Sequence, residues 1–213
     1  MQPLLNLPFM KKPAGGKSEQ PAHSSVSPAS PTDDEVRLKL YKLIIERYRD
    51  KIEEYETKSV SELKSLIQPH DQKITSLRDS ITAEFHPYVY EEHFLEAAKS
   101  AFAHISSFRT IPAPVSFWLS FPEMQEIMAG DEIDKSIVLC SLLRSLGSES
   151  AKVFVTDTRN SYVLFQFSSK SYVADHSQRE LLEFDSGQNA MQCLKGRILY
   201  SINDREYEDF QEG

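Results

Sequence analysis

Trp118–Gly147 reads WLSFPEMQEIMAGDEIDKSIVLCSLLRSLG. Gly130-Asp131 predicts a tight turn opening directly onto a strongly apolar helix. Asp131 suits the N-cap, and Glu132 and Asp134 place acid in the first turn, where free N–H groups carry partial positive charge. Ile133, Ile137, Cys140, Leu143 and Leu146 recur at helical spacing. Val138, Leu139 and Leu142 widen the stripe until most of the circumference is apolar, as in a helix at the centre of a domain. Gly147 ends it, after Arg144 in the last turn. Asp134 reads as the ionic partner of Lys135 or Arg144.

The run Trp118, Phe121-Pro122-Glu123, Gly130-Asp131, Asp134-Lys135-Ser136-Ile137-Val138-Leu139 and Leu142 to Gly147 resembles the nucleophile helix of the transglutaminase-like superfamily, particularly its microbial and archaeal members. Those proteins share the papain-like architecture. The resemblance implies an α+β fold, a central helix packed on an antiparallel sheet, with Trp118, Gly130, Asp131 and Asp134 as scaffold of the nucleophile turn. In that family the helix begins with a cysteine, whose thiol pKa is lowered by the helix N-terminus. Glu132 stands at that position here. The family histidine position falls at Asn160 or Ser161, neither a general base near neutral pH, and the family aspartate matches Asp175.

Length and composition bound the remainder. The 213 residues suit one domain plus appendages, and the 40% apolar share is ample for a core. A formal charge of −8 argues against a nucleic-acid-binding face. Cys140 and Cys193 give neither a disulfide framework nor a metal cluster, which points to a reducing cytoplasm. No apolar run approaches membrane-spanning length.

Met1–Met10 is apolar but broken by prolines, and Lys11-Lys12 follow it where a secretory signal needs them first. With the Pro- and Ser-rich stretch to Asp34 it reads as a disordered segment, 1–34. Leu38, Tyr41, Ile45, Tyr48, Ile52 and Tyr55 alternate steps of three and four, predicting one long helix with a coiled-coil-like stripe. A second helical stretch runs from Val60 past Pro69 to Phe85, so residues 35–86 form a helical arm. The arm packs on its own chain or pairs with a second copy as a homo-oligomer. The globular domain is expected over 87–204, starting with a small-residue-rich helix from Tyr90 to Ile105, and 205–213 is an acidic tail. After Gly147 the period becomes alternating. Strands are predicted at Ala151–Thr156, Ser161–Phe167, Ser171–Asp175, Glu180–Phe184 and Arg197–Ile202.

Acyl transfer of the family's kind needs a thiolate, an imidazole and a group that orients it. Cys140 lies roughly 12 Å along the helix from Glu132 and about 80° around it, and reads as an inert core residue. Cys193 has no evident base. His176 follows Asp175 on a strand and so points to the opposite face. His93 and His104 lie on a helix before the core and give no metal-ligand set. No cofactor or metal is expected. Glu132 and Asp175 could pair across the site and raise one carboxyl pKa, which would suit acid–base work. The expected function is therefore a transglutaminase-like pseudoenzyme that binds protein or peptide, without nucleic acid and without a membrane span. The alternative is a hydrolase or acyltransferase with a rearranged, carboxylate-based site.

Overall fold

The structure, a computed structural model, describes residues 32–112, 115 and 117–210. The expected disordered stretch up to Pro31, Ala113-Pro114 of the proline link, and 211–213 of the tail lie outside the described residues. The chain divides after Tyr41 into two units, and the core belongs to the second, Lys42–Gly213.

The 3–4 spacing from Leu38 to Tyr55 does give one helix, α1, Asp33–Glu56. In its second-unit part Leu43, Tyr48 and Tyr55 are exposed. Thr57–Ser59 forms the bend. Ser59 then opens α2 (Val60–Ser65) with a capping box, its hydroxyl and Glu62 satisfying each other's backbone N–H groups. Pro69 separates α2 from α3 (Gln72–Thr82), which Asp71 caps. From Ile67 onward the expected arm lies inside the main core, with Ile67 and Ile74 buried beside Leu139 and Leu142. α4 (Tyr90–Ser106) buries Ala97, Ala98 and Ala101, small side chains that allow close approach, and both α3 and α4 pack on α6 (Glu132–Ser145).

α6 is the buried helix that its sequence predicts. Leu139, Cys140, Leu142 and Leu143 are fully buried, and each buried leucine contributes about 1.5–3 kcal/mol. Ile133 and Ile137 are only half-buried, so the centre of the stripe lies nearer Leu139 than the spacing suggests. Gly147 takes φ +106 after the helix, a conformation that costs glycine little.

Beyond α6 an antiparallel sheet of six strands is ordered β6-β5-β4-β3-β7-β8. It comprises β3 (Lys152–Thr156), β4 (Ser161–Phe167), β5 (Lys170–Asp175), β6 (Glu180–Phe184), β7 (Ile198–Ile202) and β8 (Tyr207–Asp209). Side chains alternate along the strands. Val153, Val163, Phe165 and Ala174 join the α6 core, whereas Phe154, Tyr162, Leu164 and Val173 form a second cluster with Ala190 and Leu194, under α7 (Gly187–Gln192). The fold is α+β, with a central helix on an antiparallel sheet.

Several short elements were not expected. α5 (Phe121–Ile127) begins with a Ser120–Glu123 capping box. β1 (Arg109–Thr110) pairs in parallel with β2 (Ala129–Gly130). β8 pairs with β7 inside the stretch expected as an acidic tail, and α7 occupies a segment without clear periodicity. The expected Gly130-Asp131 turn is also corrected. Met128 makes the reversal in the left-handed region at φ 51, and Gly130 lies in β2. Its lack of a side chain serves close packing, because a Cβ there would stand 2.8 Å from Met124 Cε.

Candidate functional site

Asp131 is the N-cap of α6 as expected. Its Oδ1 accepts the Asp134 N–H at 2.9 Å, and Asp134 Oδ2 accepts the Asp131 N–H at 3.2 Å. Asp134 is not the ionic partner of Lys135 or Arg144. It is 2% exposed, and its Oδ1 accepts the Leu119 N–H at 3.1 Å, so the carboxyl ties the Trp118 segment to the start of α6. Burial, then the adjacent Asp131 carboxyl, push its pKa up to about 7. Arg144 instead meets Asp204 at 2.6 Å and donates to the carbonyls of Ser148 and Glu149. Lys135 is buried and donates to Phe108 O at 2.6 Å and Thr110 Oγ1 at 2.8 Å. Trp118 donates its indole N–H to Glu56 O at 3.2 Å, so it buttresses the end of α1 while Leu119 buttresses α6.

Glu132, which the sequence resemblance sets at the nucleophile position, is half-buried. Its carboxyl pKa is raised by burial first, then by Asp175 and Asp131, with Lys135 and Lys195 opposing. Asp175 is therefore within electrostatic reach of Glu132. It ends β5 directly opposite Tyr162 of β4. Paired residues share a face of the sheet, so Asp175 lies with Tyr162 on the α7 side. Its Oδ1 is engaged by Ser177 N–H at 2.8 Å, Ser177 Oγ at 2.6 Å and Gln178 N–H at 3.1 Å. The carboxylate caps its own turn, and among the described residues no imidazole is hydrogen-bonded to it.

The two candidates for the family histidine position diverge. Asn160 closes the β3–β4 hairpin, donating from Nδ2 to Thr158 Oγ1 at 3.2 Å. Ser161 points toward α6, where its hydroxyl meets that of Ser136 at 3.0 Å, both buried. Two hydroxyls thus fill the interior below Glu132.

His176 lies across the sheet from Asp175, as strand alternation requires. It is 2% exposed and rests on Phe102 with ring centroids 5.1 Å apart. Nδ1 lies 3.2 Å from Ser106 Oγ, and Nε2 has no protein partner among the described residues. Burial and then the Lys135 charge depress its pKa to about 3. Cys140 is sealed in the core, where burial raises its thiol pKa far above the usual range. Cys193 is exposed, and burial of the thiol and the Asp175 charge raise its pKa. Neither thiol makes a contact with an imidazole among the described residues.

Sequence reasoning missed Tyr162 and Lys195, and it read Lys135 only as part of the α6 motif and as an ionic partner of Asp134. Tyr162 Oη accepts the Lys195 N–H at 3.3 Å, and its hydroxyl titration is raised by burial, with Asp175 and Glu132 adding to it. Among the described residues no group of three or more His, Cys, Asp or Glu side chains is placed to hold a metal ion, and no helix is long and apolar enough to cross a membrane.

The chain matches no family profile and no curated protein. Solved structures that resemble it include two of one protein. One is calcium-bound Legionella pneumophila LapG, at 14% identity and a TM-score of 0.44, covering 68% of this chain and 88% of that chain. The other is LapG of the same organism, at 16% identity and a TM-score of 0.44, covering 69% and 88%.

Proposed function

We propose that this chain is a transglutaminase-like domain that binds protein or peptide and no longer carries out thiol acyl transfer. The family assignment is supported by the sequence resemblance around α6 and by an α+β layout of the kind that the resemblance implies. One observation carries the loss of chemistry. The helix start where a thiolate would form holds Glu132, while the imidazole on the α6 side of the sheet, His176, is buried against Ser106 and Phe102. A nucleophile and a base that cannot meet cannot attack a carbonyl. Two unpaired cysteines fit a reducing, cytoplasmic setting. The exposed apolar side chains of α1 fit contact with a partner or a second copy.

The test is turnover of glutamine-donor and peptide substrates by the wild-type chain, Cys140→Ser, Cys193→Ser and Glu132→Gln. The expected result is none above background in all four. Turnover lost in either cysteine variant would overturn the proposal. The raised Glu132 carboxyl beside Asp175 favours one second reading, a carboxylate-based hydrolase. Turnover abolished by Glu132→Gln alone would establish it.

A further inference from the structure

β6 ends the sheet and is hydrogen-bonded on one side only, to β5. Gln166 of β4 fixes which of its backbone groups face outward. The Gln166 N–H donates to Ser150 Oγ at 2.8 Å and its carbonyl accepts from that hydroxyl at 3.4 Å, both on the β3 side. In an antiparallel ladder the N–H and C=O of one residue point the same way, and those of the next point the other way. Phe165 and Phe167 therefore bond to β5, so Ser171 and Val173 turn their groups to β6, where Phe184 and Leu182 meet them. Leu181 and Glu183 are left with N–H and C=O on the open edge. None of these four groups has a hydrogen-bond partner among the described residues.

Little guards that edge. β6 is five residues long, holds no proline or lysine and pairs with β5 without a bulge, whereas β8 at the other edge is three residues long. Short length, lysine, proline and bulges are the usual protections of an exposed strand. Its side chains continue two apolar layers. Leu181 packs with the α6 core, and Leu182 and Phe184 pack with the α7 cluster, all three half-buried. Glu180 and Glu183 are its charges, and Lys170 reaches Glu183 at 3.6 Å. A row of unbonded backbone donors and acceptors between two apolar layers is matched by one kind of occupant, an extended chain.

A second copy of β6 matches poorly. Only a two-fold centred on Leu182 bonds Leu181 and Glu183 of both copies, and it sets apolar against acid at four of the five positions, Leu181 against Glu183 and Phe184 against Glu180. Two folded domains meeting along so short a strand also bury far less than the roughly 1,200 Å² of a stable interface.

We infer that β6 takes up an extended segment of a partner protein as an added antiparallel strand, with apolar residues opposite Leu181, Leu182 and Phe184, a hydroxyl residue opposite Glu183 and a lysine opposite Glu180. The inference rests on the reading of the chain as a protein- or peptide-binding module and assigns that binding to the free edge of the sheet.

The full chain, labelled with 15N, is titrated with acetyl-Val-Thr-Val-Ile-Lys-amide, whose second and fourth residues turn their backbone groups to Glu183 and Leu181. The expected result is saturable binding that slows amide hydrogen exchange at least about tenfold at Leu181 and Glu183, with Leu182 and Phe184, already bonded to β5, unchanged. A peptide N-methylated at its second and fourth residues should bind at least about tenfold more weakly, and one N-methylated at its first and third should bind like the parent. Glu183→Pro removes an outward N–H and leaves the β5 ladder whole, so it should abolish binding with the circular dichroism spectrum retained. If that variant does not fold, the methylated peptides decide. No added protection at Leu181 and Glu183, or equal binding of the two methylated peptides, overturns the inference. So does protection that rises with protein concentration in the absence of peptide, which would place a second copy on the edge. Cleavage or modification of the peptide would sink the pseudoenzyme reading and leave the edge site standing, whereas absence of both binding and turnover sinks the edge site alone.

Discussion

Asp134→Asn should change how stability depends on pH. An aspartyl carboxyl in the unfolded chain loses its proton near 3.8, whereas the folded protein holds this one until about pH 7. The folded state therefore binds the extra proton across that interval. The stability from this group is fully present below about pH 3.8 and is lost as pH rises through about 7. Each pH unit inside the window is worth about 1.4 kcal/mol, so the step from about pH 5 to about pH 7 removes about 3 kcal/mol from the wild type. That figure is a ceiling, because Asp131 shares the titration. The substituted amide does not titrate, so the loss is absent from the variant. The amide keeps one acceptor oxygen where the carboxyl has two, for Leu119 N–H and Asp131 N–H. A pH-independent cost of about 1–2 kcal/mol is therefore expected. Urea unfolding followed by Trp118 fluorescence, at about pH 5 and about pH 7, gives the difference between variant and wild type at each. The comparison is needed because His176 titrates in the opposite sense. The gap should narrow or reverse by about 2–3 kcal/mol toward neutral pH. Parallel profiles would refute the assignment of Asp134 as a buried, proton-retaining carboxyl.

Three further outcomes follow from the same geometry. His176 is held neutral down to about pH 3 when folded, against 6.5 for the free side chain, so its stability is present above about 6.5 and lost on acidification; His176→Gln should move the acid-unfolding midpoint to lower pH, measured by circular dichroism. Arg144→Ala breaks the buried pair with Asp204 and frees two carbonyls, and should cost about 3–5 kcal/mol in urea unfolding. Gly130→Ala places a methyl 2.8 Å from Met124 Cε, the mobile end of a flexible side chain. It should cost about 1 kcal/mol, a few degrees in Tm, and a larger loss would mean that Met124 cannot move aside.

Much of the architecture was legible in the order of residues because the signals were local. Asp131 before an apolar run fixes a helix start, since its carboxylate reaches the N–H three residues on. The switch from helical to alternating period after Gly147 fixes a helix followed by strands, and the strand limits agree to within one residue. That Glu132 opens α6 with an acid and no thiol needed no coordinates either.

The short elements were not legible. α5, α7, β1, β2 and β8 each have too few residues for a period to show, and contacts from distant segments stabilise them. Nor could sequence place the candidate site residues. The sequence resemblance set Asp175 as an orienting aspartate, yet its register opposite Tyr162 puts it on the α7 face, where it caps its own turn. Asp134 has a charged neighbour at i+1, yet desolvation and a backbone N–H from fifteen residues away decide its role. Sequence by itself determined which segments are helix or strand and which chemical groups stand at the start of α6. Only the tertiary structure decided which of those groups face one another and which are cut off from water, because burial and cross-strand register depend on residues far apart in the chain.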